Sequence, residues 1–145
     1  MSLFSSLSVS ASGMSAQRTR AEILVENIAN AETTRTAEGG PYRRRDVVFQ
    51  SSPVASPFSS VLDSEFATAE QGVAVADIVT DNSAPERRYM PGHPDADKDG
   101  YVSLPKINPA EDMVDLVGAS RNYEANVSAI SAVKNMIQSS IDLLK

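Results

Sequence analysis

The sequence predicts a mainly α-helical protein with a small β region, in which the N- and C-terminal helices pair as an antiparallel coiled coil. Two observations predict the helices: residues 1–30 and residues 108–145 both carry apolar side chains at steps of three and four. A third predicts the β region, because the centre of the chain has short runs rich in Val, Ile and Tyr between Gly and Pro residues. The expected segments are an N-terminal helix in residues 1–32, a loop- and strand-rich region in residues 33–107, and a C-terminal helix in residues 108–145.

The predicted N-terminal helix has an apolar row with four-then-three spacing, which consists of Leu3, Leu7, Ala11, Met14, Ala21, Val25 and Ile28. Arg18 interrupts this row, and the serine-rich first turns have little helix propensity. We therefore expect this segment to be largely unfolded when it is isolated. The helix should end near Asn30, because the side chains of Asn30, Thr33 and Thr34 can bond to the neighbouring backbone.

The central region has four runs with the composition of short strands, which would form a small antiparallel sheet or a pair of hairpins: Val47–Phe49, Gly72–Val79, Glu86–Met90 and Tyr101–Leu104. Pro53 and Pro57 argue against a regular element at the start of residues 50–69. The apolar residues of that stretch are compatible with a short amphipathic turn at Phe58, Val61, Leu62 and Phe66. Structural turns are predicted at Gly39, Gly40, Pro41, His93, Pro94, Asp95 and Asp97.

The C-terminal helix is predicted to begin at Asn108. The Asn108 side chain can accept a hydrogen bond from the first turn, Pro109 suits a position that needs no donor, and Glu111 can complete a capping box. The carboxylates of Glu111, Asp112 and Asp115 lie near this helix start. Negative charge there interacts favourably with the helix dipole, so these residues need no catalytic role.

The two helices are expected to use different faces for different contacts. Pairing within one chain is predicted for apolar residues of the two rows, namely Leu7, Met14, Ala21, Val25, Ile28, Val127, Ile130, Ile137 and Ile141. Small uncharged polar side chains lose little entropy on ordering and let backbones approach closely, so we expect contacts with neighbouring chains at Asn27, Asn30, Asn122, Asn126, Ser131 and Asn135. The alternative is that this polar face is solvated.

The composition limits the classes of function. With 145 residues, 41% hydrophobic residues and no Trp, the chain is expected to be one modest domain, or a small domain with long helical appendages, with a light core. Its net charge of −6 argues against nucleic acid as a partner, and the lack of Cys excludes disulfides and thiolate chemistry. Neither a secretory signal nor a run of membrane-spanning length is present, so composition alone predicts a cytoplasmic protein without direct membrane insertion.

The run Asp95–Gly100 matches the first half of an EF-hand calcium loop, with carboxylates at alternate positions and then Gly. The twelfth position of such a loop would be Lys106, which cannot replace the bidentate Glu. A tight turn whose carboxylates cap backbone N–H groups is therefore favoured, and the alternative is a soluble calcium-binding module that uses the Asp95–Gly100 loop.

No residue pattern in the chain supports an enzyme, a cofactor or a metal site. There is no Gly-x-Ser-x-Gly or phosphate-binding loop, and His93 has no Cys or second His with which to bind zinc. Arg43, Arg44 and Arg45 could form an anion site, but in an acidic chain they are expected to pair with carboxylates of the same molecule or of a neighbour.

Several stretches resemble one protein family. The run Glu26-Asn27-Ile28-Ala29-Asn30-Ala31, with Thr33 and Thr34, resembles the N-terminal signature of the flagellar rod, hook and hook-associated axial proteins. The similarity to rod members of this family continues through residues 34–44, residues 91–102 and Ser120–Asn126, and it is weakest in residues 51–70.

The resemblance implies a non-enzymatic structural subunit of the bacterial flagellar basal-body rod. Such subunits assemble through their terminal helices, with copies of themselves and with other proximal and distal rod proteins, into the tubular shaft that transmits torque. The resemblance also implies export by the flagellar type III apparatus without a cleaved signal peptide, a place in the rod that spans the periplasm, and no cofactor.

Overall fold

A computed structural model of the chain describes residues 3–53 and 71–143. In chain order its elements are α1 (Leu3–Ala29), β1 (Arg45–Pro53), β2 (Gln71–Thr80), β3 (Glu86–Tyr89), β4 (Tyr101–Leu104) and α2 (Pro109–Asp142). β1 and β2 form one two-stranded sheet, and β3 and β4 form another. The predicted fold class, mainly helical with a small β region made of short strands, is confirmed.

The observed ends of the two helices follow from their capping residues. Asn108 Oδ1 accepts a hydrogen bond from Ala110 N at 3.2 Å, and Pro109 is the first residue of α2, as predicted. At the end of α1, Asn30 Nδ2 donates to the Glu26 carbonyl at 2.9 Å, while Asn30 Oδ1 accepts from Thr33 Oγ1 at 3.1 Å. The Glu26 carbonyl also accepts a bond from Asn30 N at 3.1 Å, so both groups of Asn30 bind the last turn, and α1 ends where the sequence predicted.

Four predicted strands are present, and one prediction about their limits is wrong. β1 continues through Ser52 to Pro53, although Pro53 was expected to exclude a regular element there. Each strand of a two-stranded sheet has one edge that forms no hydrogen bonds with another strand. A proline can therefore lie at the end of such a strand without removing an N–H group that the sheet needs. The turn predicted at Phe58–Phe66 lies outside the described residues.

The chain divides into two compact units, and each unit takes part of both helices. The first consists of Met1–Thr19, Phe49–Ala76 and Ala119–Lys145, and the second of Arg20–Val48 and Asp77–Gly118. Buried apolar side chains in the first unit are Ala16, Ala119 and Val133. Those in the second unit are Ile23, Leu24, Val102 and Leu104. Among the described residues, each unit has few buried apolar side chains.

The strands β3 and β4 form an antiparallel hairpin in the second unit. Glu86 lies opposite Leu104 and Tyr89 lies opposite Tyr101. The Tyr89 and Tyr101 rings pack edge to face with centroids 5.3 Å apart, and the Arg87 guanidinium lies 5.1 Å from the centroid of Tyr101. All four residues of β3 are exposed, whereas Val102 and Leu104 of β4 point into the core.

Asn108→Ala is expected to reduce the free energy of unfolding by about 1 kcal/mol, because the variant leaves an N–H group of the first turn of α2 without its acceptor. Urea denaturation of the full chain measures the change. Asn108→Ser is the matched control and should retain most of the stability, since Ser also caps helices well. Equal losses in the two variants would show that the cap does not stabilise the start of α2.

Candidate assembly surfaces

The buried side of α1 differs from the predicted apolar row. Ala16, Ile23 and Asn27 are buried, and each lies two residues after a member of that row: Met14, Ala21 and Val25, respectively. Two residues correspond to a rotation of about 200° around a helix. The most buried positions Ala16, Ile23 and Asn27 are therefore displaced by two residues from the predicted row. Leu24 is also buried, and four of the seven row members are half-buried, so the predicted row lies at the border of the buried side rather than at its centre.

Val25, Val127 and Ile141 lie at the surface, with 52%, 42% and 47% of their area exposed. Their predicted place in a seam within one chain is therefore corrected. Leu7, Met14, Ala21 and Ile28 on α1, like Ile130 and Ile137 on α2, are half-buried.

On α2, a row of buried and half-buried residues follows steps of four, three and seven: Asp112, Leu116, Ala119, Asn126, Ile130, Val133 and Ile137. Asp115 and Gly118, beside this row, are half-buried as well. Periodicity alone did not separate this inner row from the exposed apolar residues, because Met113, Val117 and Val127 also fall at helical spacing. The inner row contains a carboxylate and an amide, which a purely apolar search overlooks.

Asn27 was predicted to contact a neighbouring chain, but the structure places it inside its own unit. Its exposed area is 0%, so no surface of Asn27 is left for a partner. Asn27 Nδ2 donates to the Arg45 carbonyl at 2.8 Å, while Asn27 Oδ1 accepts from Arg45 N at 3.0 Å and from the Tyr42 hydroxyl at 3.1 Å. The amide thus binds both backbone groups of one residue and attaches α1 to the start of β1.

The other residues predicted to contact neighbouring chains differ in exposure. Asn126 is half-buried, and a Cβ atom placed on Gly13 would lie 3.1 Å from its amide atoms, so Asn126 packs on α1 in the first unit. Asn30 is half-buried and caps the end of α1. Asn122, Ser131 and Asn135 are exposed on α2, where a second chain has access to them.

The three consecutive arginines mainly meet carboxylates of the same molecule, as one of the two sequence interpretations predicted. Arg45 Nη1 donates to both carboxylate oxygens of Glu26, at 2.7 and 2.9 Å. Arg44 Nη2 lies 3.1 Å from Asp112 Oδ1 and 3.4 Å from Asp46 Oδ1. Arg43, by contrast, donates to the amide oxygen of Asn82 at 2.6 Å.

Burial changes the acidity of two groups beside this arginine cluster. Asp112 has 0% exposed area, and its pKa is raised above the ordinary value, chiefly because burial disfavours the carboxylate; Arg44 opposes this rise. The pKa of Tyr42 is also raised, first by burial and then by the negative charge of Glu26. From the sequence, Asp112 is expected only as a favourable charge at a helix start, and its burial is a feature of the tertiary structure.

The Asp95–Gly100 segment forms the predicted turn. Asp97 Oδ1 accepts hydrogen bonds from Asp99 N and Tyr101 N, both at 2.9 Å, and Asp97 Oδ2 accepts from Arg87 at 2.5 Å. These bonds hold the pKa of Asp97 below its ordinary value, with the bond from Tyr101 N the largest cause. Gly100 has φ 80°, and a side chain there would meet the Tyr89 ring at 2.9 Å.

The remaining predicted turn residues lie in two loops of the second unit. His93 Nδ1 accepts a local bond from Asp95 N at 3.1 Å, whereas Asp95 Oδ2 accepts from Thr34 Oγ1 of the other loop at 2.8 Å. Gly39 and Gly40, which precede Pro41, both have positive φ. Thr36 N donates to the Gly40 carbonyl at 2.9 Å and closes that turn.

Two kinds of site are missing from residues 3–53 and 71–143. No group of three or more His, Cys, Asp or Glu side chains is arranged to hold a metal ion. Nor is any helix in these ranges both long and apolar enough to cross a membrane.

Asn27→Ala is expected to lower the free energy of unfolding by about 3 kcal/mol, because it leaves the buried N–H and C=O of Arg45 unpaired. The matched control is Asn30→Ala, whose lost bond is local to the helix end and should cost about 1 kcal/mol or less. Urea denaturation of the dilute subunit measures both. An Asn27→Ala subunit as stable as the unaltered chain would mean that Asn27 does not hold α1 to β1.

Comparison with known proteins agrees with this architecture of two long terminal helices. The family described as "Flagella basal body rod protein" matches residues 7–35, and the one described as "Flagellar basal body rod FlgEFG protein C-terminal" matches residues 98–143. The matched ranges cover most of α1 and all of β4 and α2.

Whole-chain relatives are more specific. The flagellar basal-body rod protein FlgC of Borreliella burgdorferi is 43% identical over 100% of this chain and 99% of its own length. FlgC of Bacillus subtilis is 42% identical over 100% of both chains, and FlgC of Salmonella typhimurium is 34% identical over 99% of this chain and 98% of its own. Identity at this level over full length shows the family, and the chain belongs to the FlgC family of flagellar basal-body rod proteins.

Proposed function

We propose that this structural rod subunit assembles through its two terminal helices, with copies of itself and with other rod subunits. The observation that carries the proposal is the number of large apolar side chains exposed on or next to the helices: Leu3, Phe4, Val25, Met113, Val114, Val117, Tyr123, Val127, Met136, Ile141 and Leu143. Monomeric proteins rarely expose large contiguous apolar patches, and Met113, Val114 and Val117 are exposed close together on α2. Covering such side chains stabilises an assembly by about 1.5–3 kcal/mol for each one fully buried.

The exposed apolar residues identify the part of each helix that another subunit would cover. On α1, the exposed Val25 of the predicted row lies away from the side held by Asn27. On α2, the exposed Met113, Val114 and Val117 lie within two successive turns. These apolar surfaces are the main proposed contacts, and the exposed polar residues Asn122, Ser131 and Asn135 form a second contact surface that permits close approach.

Within one chain, α1 and α2 are proposed to pair in the antiparallel sense. Gly13 of α1 packs on Asn126 of α2, and Arg20 Nη2 lies 3.6 Å from Asp115 Oδ2. A later position on α1 thus meets an earlier position on α2. The four-then-three spacing of the inner rows supports packing of the coiled-coil type.

The cellular setting is proposed by analogy with the family. The FlgC name of the relatives places them in the flagellar basal-body rod. We extend this to a non-enzymatic subunit that is exported by the flagellar type III apparatus without a cleaved signal peptide and joins the rod in the periplasm. The small cores support such a route, because a subunit with little buried apolar surface is easily unfolded for export.

Val25→Asp is expected to prevent rod assembly and swimming, because it places a charge on a proposed subunit contact. The matched control is Val79→Asp on β2, where a Val of similar exposure, 46%, lies outside the helices. Swimming assays and recovery of rod complexes measure the effect, and urea denaturation checks that both subunits fold. A swimming Val25→Asp strain would overturn the proposed role of the α1 row.

Ser131→Arg tests the polar surface separately. It adds bulk and charge at an exposed position, so the free energy of unfolding should change by less than about 0.5 kcal/mol while rod completion fails. The inward Ile130→Asp is the contrasting variant and should destabilise the subunit itself by several kcal/mol, on the order of 3 kcal/mol. Normal swimming with Ser131→Arg would mean that the polar surface contacts only water.

Gly13→Leu tests the pairing of α1 with α2. The larger side chain would displace the Asn126 amide and cost about 1–3 kcal/mol of stability despite the better helix propensity of Leu. Gly118→Leu on α2 is the matched control: nothing lies within 4 Å of a Cβ atom there, so that variant should be neutral or stabilised by up to about 1 kcal/mol. Equal effects of the two variants in urea denaturation would contradict the proposed pairing.

A further inference from the structure

Asp112 differs from every other carboxylate in the described part of the chain because it has no exposed area. It lies in the first turn of α2, directly after the acidic Glu111. Neither of its carboxylate oxygens has a hydrogen-bond donor in good geometry, and the buried Nε of Arg44 likewise has no acceptor. The ion pair with Arg44, at 3.1 Å, is therefore a close charge contact without the hydrogen bonds that usually stabilise a buried carboxylate.

The groups around Asp112 carry more negative than positive charge. From the segment that leads into β1, Arg44 faces Asp112, and Asp46 adds a second carboxylate that lies 3.4 Å from the same Arg44 nitrogen. From α2 itself, Glu111 and Asp115 add two more carboxylates.

Two further groups nearby do not correct this balance. The Tyr42 hydroxyl is uncharged at neutral pH, and its own pKa is raised partly by the charge of Asp112. Arg20 on α1 is paired with Asp115 at 3.6 Å, so its charge is already engaged. One arginine is thus shared by a buried and an exposed carboxylate, in a cluster that has more negative than positive charge.

We propose that Asp112 is a buried proton-binding site: as the pH falls from neutral, the folded chain takes up one proton there before an ordinary carboxylate would, and this proton stabilises the junction between α2 and the start of β1. Protonation removes the buried negative charge and turns one unpaired oxygen into an O–H donor. Arg44 then keeps Asp46 as its charged partner, so neutral Asp112 does not leave the half-buried Arg44 without a counter-charge.

The sign of the pH dependence follows from linkage. In the unfolded chain Asp112 has the ordinary pKa of 3.8, whereas burial raises the pKa in the folded chain. The folded state therefore binds the proton at higher pH than the unfolded state, so this stabilisation is present at low pH and is lost as the pH rises through the folded pKa. Hydrogen bonds lower the pKa of Asp81 and Asp97, which therefore stay ionised until the solution is more acidic.

The experiment has two arms on the full chain. In the first, the carboxyl ¹³C resonance of Asp112 is followed by NMR through a pH titration, and its midpoint is expected above the ordinary Asp value. In the second, the urea midpoint of unfolding is measured at a series of pH values from about pH 7 down to the midpoint found by NMR. The midpoint should rise on acidification in the unaltered chain and should not rise in Asp112→Asn, which mimics the neutral acid.

Asp115→Asn is the matched control, since Asp115 lies on the same helix but is half-exposed, and it should keep the rise in midpoint. Asp112→Asn should also be at least as resistant to urea as the unaltered chain at pH 7, because it removes a buried charge. An Asp112 resonance that titrates at or below the ordinary value, or the same pH dependence in Asp112→Asn and the unaltered chain, would overturn the proposal. Should Asp112→Asn not fold, the titration of the unaltered chain alone decides.

Discussion

The hydrogen bonds of the Asn27 amide with Arg45 are the interaction on which the rest of the structure depends. A helix can rotate about its own axis against a flat neighbour at little cost, but an amide that binds the N–H and the C=O of one residue fixes that rotation. Once Asn27 faces inward, Ala16 and Ile23 share its side of α1 and Val25 faces outward. The choice of inner and outer surface therefore rests on a polar contact rather than on apolar periodicity.

This arrangement explains how a subunit of modest size can be both folded and ready to assemble. The described cores contain few large side chains, so apolar burial within one chain stabilises it only modestly. Ion pairs such as Arg45 with Glu26 lie at half-exposed positions and add little, typically under about 1 kcal/mol each. Much of the apolar surface of the helices remains available, and its burial would accompany contact with other subunits.

One loop of the second unit has a sequence motif that resembles a metal site, but its carboxylates bind groups of the chain itself. The Asp95–Gly100 segment has the spacing of a calcium loop, yet both oxygens of Asp97 accept bonds from the chain itself, and Asp95 binds Thr34. Carboxylates occupied in this way serve as internal acceptors for turn N–H groups. A comparable sharing occurs at Arg44, which contacts a buried and an exposed carboxylate at once.

The sequence alone determined the elements and the family. The features that determine them are local in the sequence. They are the capping residues Asn108 and Pro109, the runs that form strands, the turn glycines and the residues shared with rod proteins. The tertiary structure alone decided which side of α1 is buried and that Asp112 is enclosed. The physical reason is that α1 has two rows of residues with four-then-three spacing, one that contains Val25 and one that contains Asn27, about 200° apart around the helix. Spacing alone does not tell which of the two rows is buried. Only the positions of Arg45 and Asn126, which are distant in sequence, select the row that contains Gly13 and Asn27.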